Sequence, residues 1–153
     1  MPIAEGTIAP AIELETDEAQ PFSLDSLRGK NVVLYFYPKA DTPGCTTEAC
    51  EFRDAMPDFS GVNAVVLGIS PDAPKAQAKF RKKYSLPFSL LCDTEHAVAE
   101  AYGVWAEKSM YGKKYMGMER TTFVIGPDGK IRKVFNKVKP AGHAAQVMEA
   151  LRA

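Results

Sequence analysis

The chain has 153 residues with 19 basic and 19 acidic side chains, so it carries no net charge that would attract nucleic acid or an anionic membrane. Its composition, 46% hydrophobic and 25% charged, is ordinary for a globular protein, and its length suits one domain over residues 1–153. Since no apolar run approaches the roughly 18 residues of a membrane span and no charged-then-apolar leader opens the chain, we expect a cytoplasmic protein without membrane or nucleic-acid partners.

The first half of the chain predicts a hairpin, a buried strand and a helix. Apolar and polar residues alternate at 11–15, and a second short run follows at 22–24, which predicts a β-hairpin covering a sheet edge. Residues 32–37 are apolar at every position, as is typical of a strand buried on both faces. A helix should follow at about 43–59, and Pro57 should kink or end it near residue 56.

The second half continues the alternation of strands and helices. Asp72 and Asp93 are expected to cap two helices, whereas residues 105–119 lack periodicity and predict a long loop, a feature that is usually functional. The element order predicts an α/β fold with a mixed central sheet and helices on both faces. The remaining predicted elements are strands at 64–69, 88–91, 121–125 and 130–135 and helices at 73–84, 93–102 and 141–151.

A cysteine at the start of the first long helix is the main candidate for chemistry. The strand at 32–37 stops at Pro38, and the chain then brings Cys45 into the first helical turn, where free N–H groups and the helix dipole favour the reactive thiolate. Gly44 permits close backbone approach, and Thr42 can place a hydroxyl beside the sulfur. The plainer alternative is that residues 42–44 are only a turn and Cys45 is a small buried side chain.

Cys50 follows Cys45 after five residues, which limits how the two sulfurs can meet. Five helical residues separate two Cα atoms by roughly 8 to 9 Å, whereas a disulfide needs them within roughly 7 Å. A bond between these cysteines therefore requires the helix to unwind locally. Oxidation of Cys45 to a sulfenic acid and condensation with Cys50 would fit known cysteine chemistry, with a buried, unreactive Cys50 as the alternative.

The residues from 36 to 48 resemble the active-site signature of the peroxiredoxins. Pro38, Thr42 and Cys45 match its pattern Pro-x-x-x-Thr-x-x-Cys, and the added Cys50 is similar to the bacterioferritin comigratory protein (PrxQ) subfamily. The resemblance covers nearly the whole chain, continuing through residues 51–54, 93–104 and 120–125.

This resemblance implies a thioredoxin-like fold and a thiol peroxidase that reduces hydrogen peroxide and organic hydroperoxides without a metal or other cofactor. Cys45 would be the peroxidatic and Cys50 the resolving cysteine, joined in a redox disulfide that thioredoxin, or glutaredoxin, reduces. Thr42 and Arg120 would hydrogen-bond the thiolate and the peroxide, with Pro38 and Gly44 completing the substrate site. Relatives in the subfamily are often monomers, so a monomer is expected.

Glu48 and Cys92 are left with less definite roles. Glu48 matches an acidic position of the family that would hold Arg120 or the helix geometry. Cys92 fits neither catalytic position, and it could be a buried thiol or an alternative resolving site.

Two other functions are possible for the cysteines. A thioredoxin-type disulfide reductase would share the fold, but its motif has two residues between the cysteines, whereas four lie between Cys45 and Cys50. A metal site could combine both with Cys92 and His96, but the spacing is wrong for a zinc knuckle, and His96 is expected to be exposed or capping at helical position N3.

Overall fold

The computed structural model describes residues 2–153, within which nine strands and five α-helices form. The strands are β1 (Glu13–Thr16), β2 (Pro21–Ser23), β3 (Asn31–Phe36), β4 (Ala64–Ser70), β5 (Leu90–Cys92), β6 (Trp105–Met110), β7 (Lys113–Met118), β8 (Thr121–Ile125) and β9 (Ile131–Phe135). The helices are α1 (Pro43–Asp54), α2 (Met56–Gly61), α3 (Pro74–Tyr84), α4 (Ala97–Ala101) and α5 (His143–Arg152). No helix within residues 2–153 has both the length and the apolar character that a membrane span needs.

Seven strands form one mixed sheet in the order β2-β1-β5-β4-β3-β8-β9. Strands β3, β4 and β5 run parallel, while β1, β2, β8 and β9 pair antiparallel to their neighbours. This confirms the predicted α/β fold with a mixed sheet and an N-terminal hairpin at one edge. Because Phe36 pairs with Thr121, the carboxyl end of β3 lies beside the start of β8.

The continuous apolar run of β3 is explained by burial on both sides of the sheet. Val33 and Tyr35 belong to a cluster with residues of α1, α2, α3 and α5, whereas Leu34 and Phe36 belong to a second cluster with residues of α4. The prediction of helices on both faces is thus confirmed, although four of the five cover one face.

The predicted break in the first long helix is also present. Helix α1 ends at Asp54 and α2 begins at Met56, with Pro57 in the first turn of α2. Pro57 has no N–H to continue the hydrogen-bond ladder of α1, which accounts for the break.

The prediction of a long loop at 105–119 is wrong, because β6 and β7 form a separate two-stranded hairpin there. Tyr111 and Gly112 make its turn with φ angles of 53° and 77°. Most of its side chains are exposed, so the sequence lacks the apolar alternation that would have revealed two strands. The hairpin is fixed at its base, where the Trp105 ring stacks on His96 with centroids 4.1 Å apart.

The two predicted capping aspartates behave differently. Asp72 does not cap α3, whose N-cap is Ala73; its Oδ2 instead accepts hydrogen bonds from the Ala40 amide at 2.8 Å and the Ser70 hydroxyl at 2.7 Å. Asp93 is not the N-cap of α4 either, but its carboxylate accepts bonds from two amides in the first turn of that helix. His96 occupies the N-cap position of α4 with φ 50°, rather than N3.

Candidate active site

Cys45 is the third residue of α1 and is 1% exposed. Thr42 is the N-cap, and Pro43 occupies the first turn, where its missing N–H costs nothing. The amide groups at this end of a helix have no partner within the helix, so they are available to an oxygen of a bound molecule. The sulfur therefore lies at the positive end of α1, as the sequence predicts.

Arg120 reaches Cys45 because β8 is antiparallel to β3, which brings the residue before β8 to the carboxyl end of β3. Its Nη2 donates to Cys45 Sγ at 3.2 Å, and its Nη1 donates to Glu48 Oε1 at 2.8 Å. The Arg120 carbonyl accepts a bond from the Val138 amide at 2.9 Å, which holds the backbone in place. One guanidinium thus joins the sulfur and a carboxylate.

Gly44 is required for this arrangement. A Cβ added to Gly44 would lie 3.1 Å from Arg120 Nη2 and 3.4 Å from Pro140 Cγ. Contacts between non-bonded heavy atoms are usually at least about 3.5 Å, so only glycine lets the guanidinium lie this close to α1.

Thr42 lies beside Cys45 in the chain, but its hydroxyl does not donate to the sulfur as the resemblance implies. The hydroxyl donates to the Lys39 carbonyl at 2.8 Å, and it makes no capping bond to α1. Because its one proton is used in that bond, the Thr42 oxygen can still accept a hydrogen bond but cannot donate one to the thiolate. Pro38 is half-buried where the chain leaves β3.

Glu48 is buried to a degree that the sequence does not reveal. Its side chain is 0% exposed, and its Oε2 has no hydrogen-bond partner among residues 2–153. Burial raises the pKa of Glu48 from 4.5 to about 7, although the charge of Arg120 opposes this effect. A carboxyl group that changes its charge near neutral pH therefore lies one helical turn from Cys45.

Lys108 is a second cation near the site, and sequence reasoning missed it within the supposed loop. It lies on β6 opposite Tyr115 of β7, and its stem would be 3.2 Å from a Cβ at Gly117. Partial burial lowers the pKa of Lys108, and the charge of Arg120 lowers it further. If β6 had been recognised as a strand, the alternation of side chains along it would have shown on which face of the hairpin Lys108 lies.

Cys50 lies half-buried in the same unbroken helix as Cys45, and all three cysteines are free. Since α1 is intact from Pro43 to Asp54, the two sulfurs cannot bond in this state. Cys92 is the last residue of β5 and is buried; burial, followed by the charge of Asp17, raises its pKa to about 12. This favours the buried-thiol interpretation of Cys92, since a protonated thiol is unreactive.

A metal site would require Cys45, Cys50, Cys92 and His96 to lie close together. Within residues 2–153, no three His, Cys, Asp or Glu side chains lie close enough together to hold a metal ion. Cys92 is on β5, at the far side of β4 from the strand that leads to Cys45. His96 is packed against Trp105 instead.

Comparisons with known proteins agree with this site. Residues 6–134 match the AhpC/TSA family. The chain is 54% identical over 151 residues to a putative peroxiredoxin bcp of Coxiella burnetii, covering 99% of this chain and 100% of the relative. It is 47% identical over 152 residues to peroxiredoxin Bcp of Bacillus subtilis, covering 99% and 97%. The structure of Xanthomonas campestris bacterioferritin comigratory protein, studied for alkyl peroxide reduction, superposes with a TM-score of 0.91 at 37% identity, covering 99% of this chain and 98% of that one.

Proposed function

We propose, from the premise that this chain belongs to the AhpC/TSA family and is a thiol peroxidase of the Bcp type, that Cys45 is its peroxidatic cysteine and Cys50 its resolving cysteine. The observation that carries the proposal is the Arg120 guanidinium, which contacts Cys45 Sγ at 3.2 Å at the N-terminus of α1. The family membership disfavours the thioredoxin-type reductase and the metal-binding protein.

In the first step, the Cys45 thiolate attacks one oxygen of the hydroperoxide. A sulfur–oxygen bond forms and the oxygen–oxygen bond breaks, so that sulfur is oxidised to a sulfenic acid while the second oxygen leaves and takes a proton as water or an alcohol. Negative charge spreads from sulfur onto both oxygens, and Arg120 stabilises it with a fixed positive charge. Thr42 suits the role of acceptor for the peroxide O–H, because its own proton is given to Lys39.

Gly44 and Pro38 would shape the same site. The absence of a side chain at Gly44 leaves the first-turn amides open to the peroxide and admits Arg120. Pro38, half-buried at the end of β3, would limit the access of water.

In the second step, α1 opens and the Cys50 sulfur attacks the sulfenic sulfur of Cys45. The new disulfide forms as water leaves, and a dithiol protein then supplies two electrons to restore both thiols. Members of the peroxiredoxin family draw on thioredoxin-type reductants in general. Thioredoxin itself, with glutaredoxin as the alternative, remains our prediction for this chain, as do the monomeric state, the cytoplasmic location and the single domain.

Mass mapping of peroxide-treated protein tests both cysteine assignments. We expect a Cys45–Cys50 disulfide in the wild type, no peroxide consumption by Cys45→Ser, and one turnover to a sulfenic acid without thioredoxin-dependent cycling by Cys50→Ser. Cys92→Ser is the matched control and should cycle normally. A Cys92 disulfide, or normal cycling by Cys50→Ser, would contradict the assignment of the resolving cysteine.

A further inference from the structure

The first two turns of α1 are weakly held in comparison with the rest of the helix. Thr42 forms no side-chain cap, and Gly44, a poor helix former, occupies the second position. Thr46 Oγ1 and Glu48 Oε2 are two of the four buried side-chain polar atoms within residues 2–153 that lack a hydrogen-bond partner. Each such atom disfavours the folded state, because opening the helix would let water bind it.

The following part of α1 is anchored firmly. The Phe52 ring packs on the Tyr35 ring with centroids 4.8 Å apart, and Arg53 Nη1 donates to the Tyr84 carbonyl at 2.8 Å. Glu51 Oε1 accepts a bond from the Gly142 amide at 2.9 Å, which ties α1 to the start of α5. Opening is thereby confined to the turns before residue 51, which contain both Cys45 and Cys50.

Glu48 lies in the middle of the segment that can open, and its charge is poorly compensated there. Arg120 is its one hydrogen-bond partner, and Arg120 also serves Cys45. When the Cys45 thiolate becomes a neutral sulfenic acid, the charged bond between Cys45 and Arg120 is lost, while the ionised Glu48 remains a buried anion with one oxygen unpaired.

We propose that Glu48 controls how readily α1 opens once Cys45 has been oxidised, and so sets the rate at which the disulfide with Cys50 forms. This assignment rests on the proposed function, because it concerns the second step of that reaction. Glu48 would act on the helix and not on the peroxide, so it is a positioning residue.

The direction of the effect follows from the raised pKa of Glu48. The folded helix prefers the protonated carboxyl up to about pH 7, whereas the opened segment prefers the ionised form above about pH 4.5, the ordinary value. Stability of the closed helix is therefore lost as the pH rises between these two values. The equilibrium constant for opening should rise about 20-fold between pH 5.5 and pH 7.5.

Other ionisable groups around α1 do not imitate this response. Arg120 stays charged, because its pKa is raised by its anionic partners. Tyr35, below α1 on β3, stays neutral because burial raises its pKa well above the ordinary value; burial lowers the pKa of His143 of α5, which packs on Phe52 beyond the segment that can open. Of the remaining ionisable groups on α1, Arg53 and Asp54 pair with each other at 2.9 Å beyond the segment that can open. The experiment addresses Cys45 and Glu51 by substitution, and Cys50 is common to all the variants.

Hydrogen exchange read by mass spectrometry measures the opening directly. In a Cys45→Ser background, the serine represents a neutral group in place of the thiolate and no disulfide can form. After correction for intrinsic exchange rates, amides 46–50 should show the rise of about 20-fold between pH 5.5 and pH 7.5. Adding Glu48→Gln should abolish the rise, whereas Glu48→Asp and the control Glu51→Gln should keep it.

Two outcomes would overturn the proposal. One is a corrected amide exchange rate in Cys45→Ser that does not change between pH 5.5 and pH 7.5. This measurement requires no substitution at Glu48. The other is an unchanged rise after Glu48→Gln. In the protein that retains Cys45, the rate of disulfide formation should rise between pH 5.5 and pH 7.5. The Glu48→Gln variant should lack this rise. Because the exchange experiment involves no peroxide chemistry, it can fail while mass mapping still finds the Cys45–Cys50 disulfide, and the reverse also holds.

Discussion

Replacement of Gly44 by alanine isolates the role of the guanidinium position, because it changes no charged group. The new Cβ would lie 3.1 Å from Arg120 Nη2, the atom that donates to Cys45 Sγ. Relief of this contact moves the Arg120 side chain by a few tenths of an ångström, and we expect the shift to lengthen its bond to the sulfur. We expect a slower attack on peroxide.

The size of the effect follows from two opposing contributions. Alanine in place of glycine favours a helix by up to about 1 kcal/mol. A hydrogen bond to a charged group contributes about 1.5 to 3 kcal/mol, and weakening the Arg120–sulfur bond by about half of this would slow the reaction roughly 3- to 13-fold. Gly44→Ala should therefore be at least as stable as the wild type, yet slower.

Rapid mixing with peroxide in a single turnover measures this rate, and thermal unfolding measures the stability. Gly61→Ala is the matched control, because a Cβ at that helical glycine would meet nothing within 4 Å. An unchanged rate in Gly44→Ala would refute the argument that the exact position of Arg120 governs the attack.

Three further experiments, two substitutions and one labelling, test other parts of the structure. Gly68→Ala places a Cβ 2.9 Å from the Tyr35 hydroxyl, so it should cost about 1 to 3 kcal/mol of stability, seen as a lower midpoint of thermal unfolding; an unchanged midpoint would contradict this packing. Cys92, with its pKa raised to about 12, should resist iodoacetamide at pH 8 until the protein unfolds, and labelling of the folded protein would disprove its burial. Asp93→Ala removes two hydrogen bonds to the start of α4 and should cost about 1 to 2 kcal/mol in denaturant unfolding, whereas no loss would show that these bonds are dispensable.

Much of the scaffold follows from local sequence patterns. The uninterrupted apolar run at 32–37 predicts a strand buried on both faces, and β3 has that environment. Pro57 predicts the break between α1 and α2 for a steric reason that does not depend on the rest of the fold. Local patterns do not predict the strands within residues 105–119, because β6 and β7 pair through their backbones while their side chains stay largely exposed.

Local sequence patterns predict less of the active site. The position of Cys45 at a helix start can be predicted from Pro43 and the strand before it. The contact with Arg120 depends on the pairing of β3 with β8, whose residues lie far apart in the sequence, and only the family resemblance indicates it. The bond from the Thr42 hydroxyl to the Lys39 carbonyl depends on the local backbone conformation, which the sequence does not determine.

The arrangement of anchors along α1 explains how one helix can both hold a reactive sulfur and release it. Burial of an aromatic side chain such as Phe52 stabilises the later turns by about 1.5 to 3 kcal/mol, and two hydrogen bonds fix the same turns to α3 and α5. In the first turns, unpaired polar atoms at Thr46 and Glu48 each cost about 1 to 3 kcal/mol, which offsets much of what packing provides there. Loss of the thiolate charge at Cys45 weakens its hydrogen bond with Arg120, a contribution of about 1.5 to 3 kcal/mol, and so shifts this balance toward the open segment.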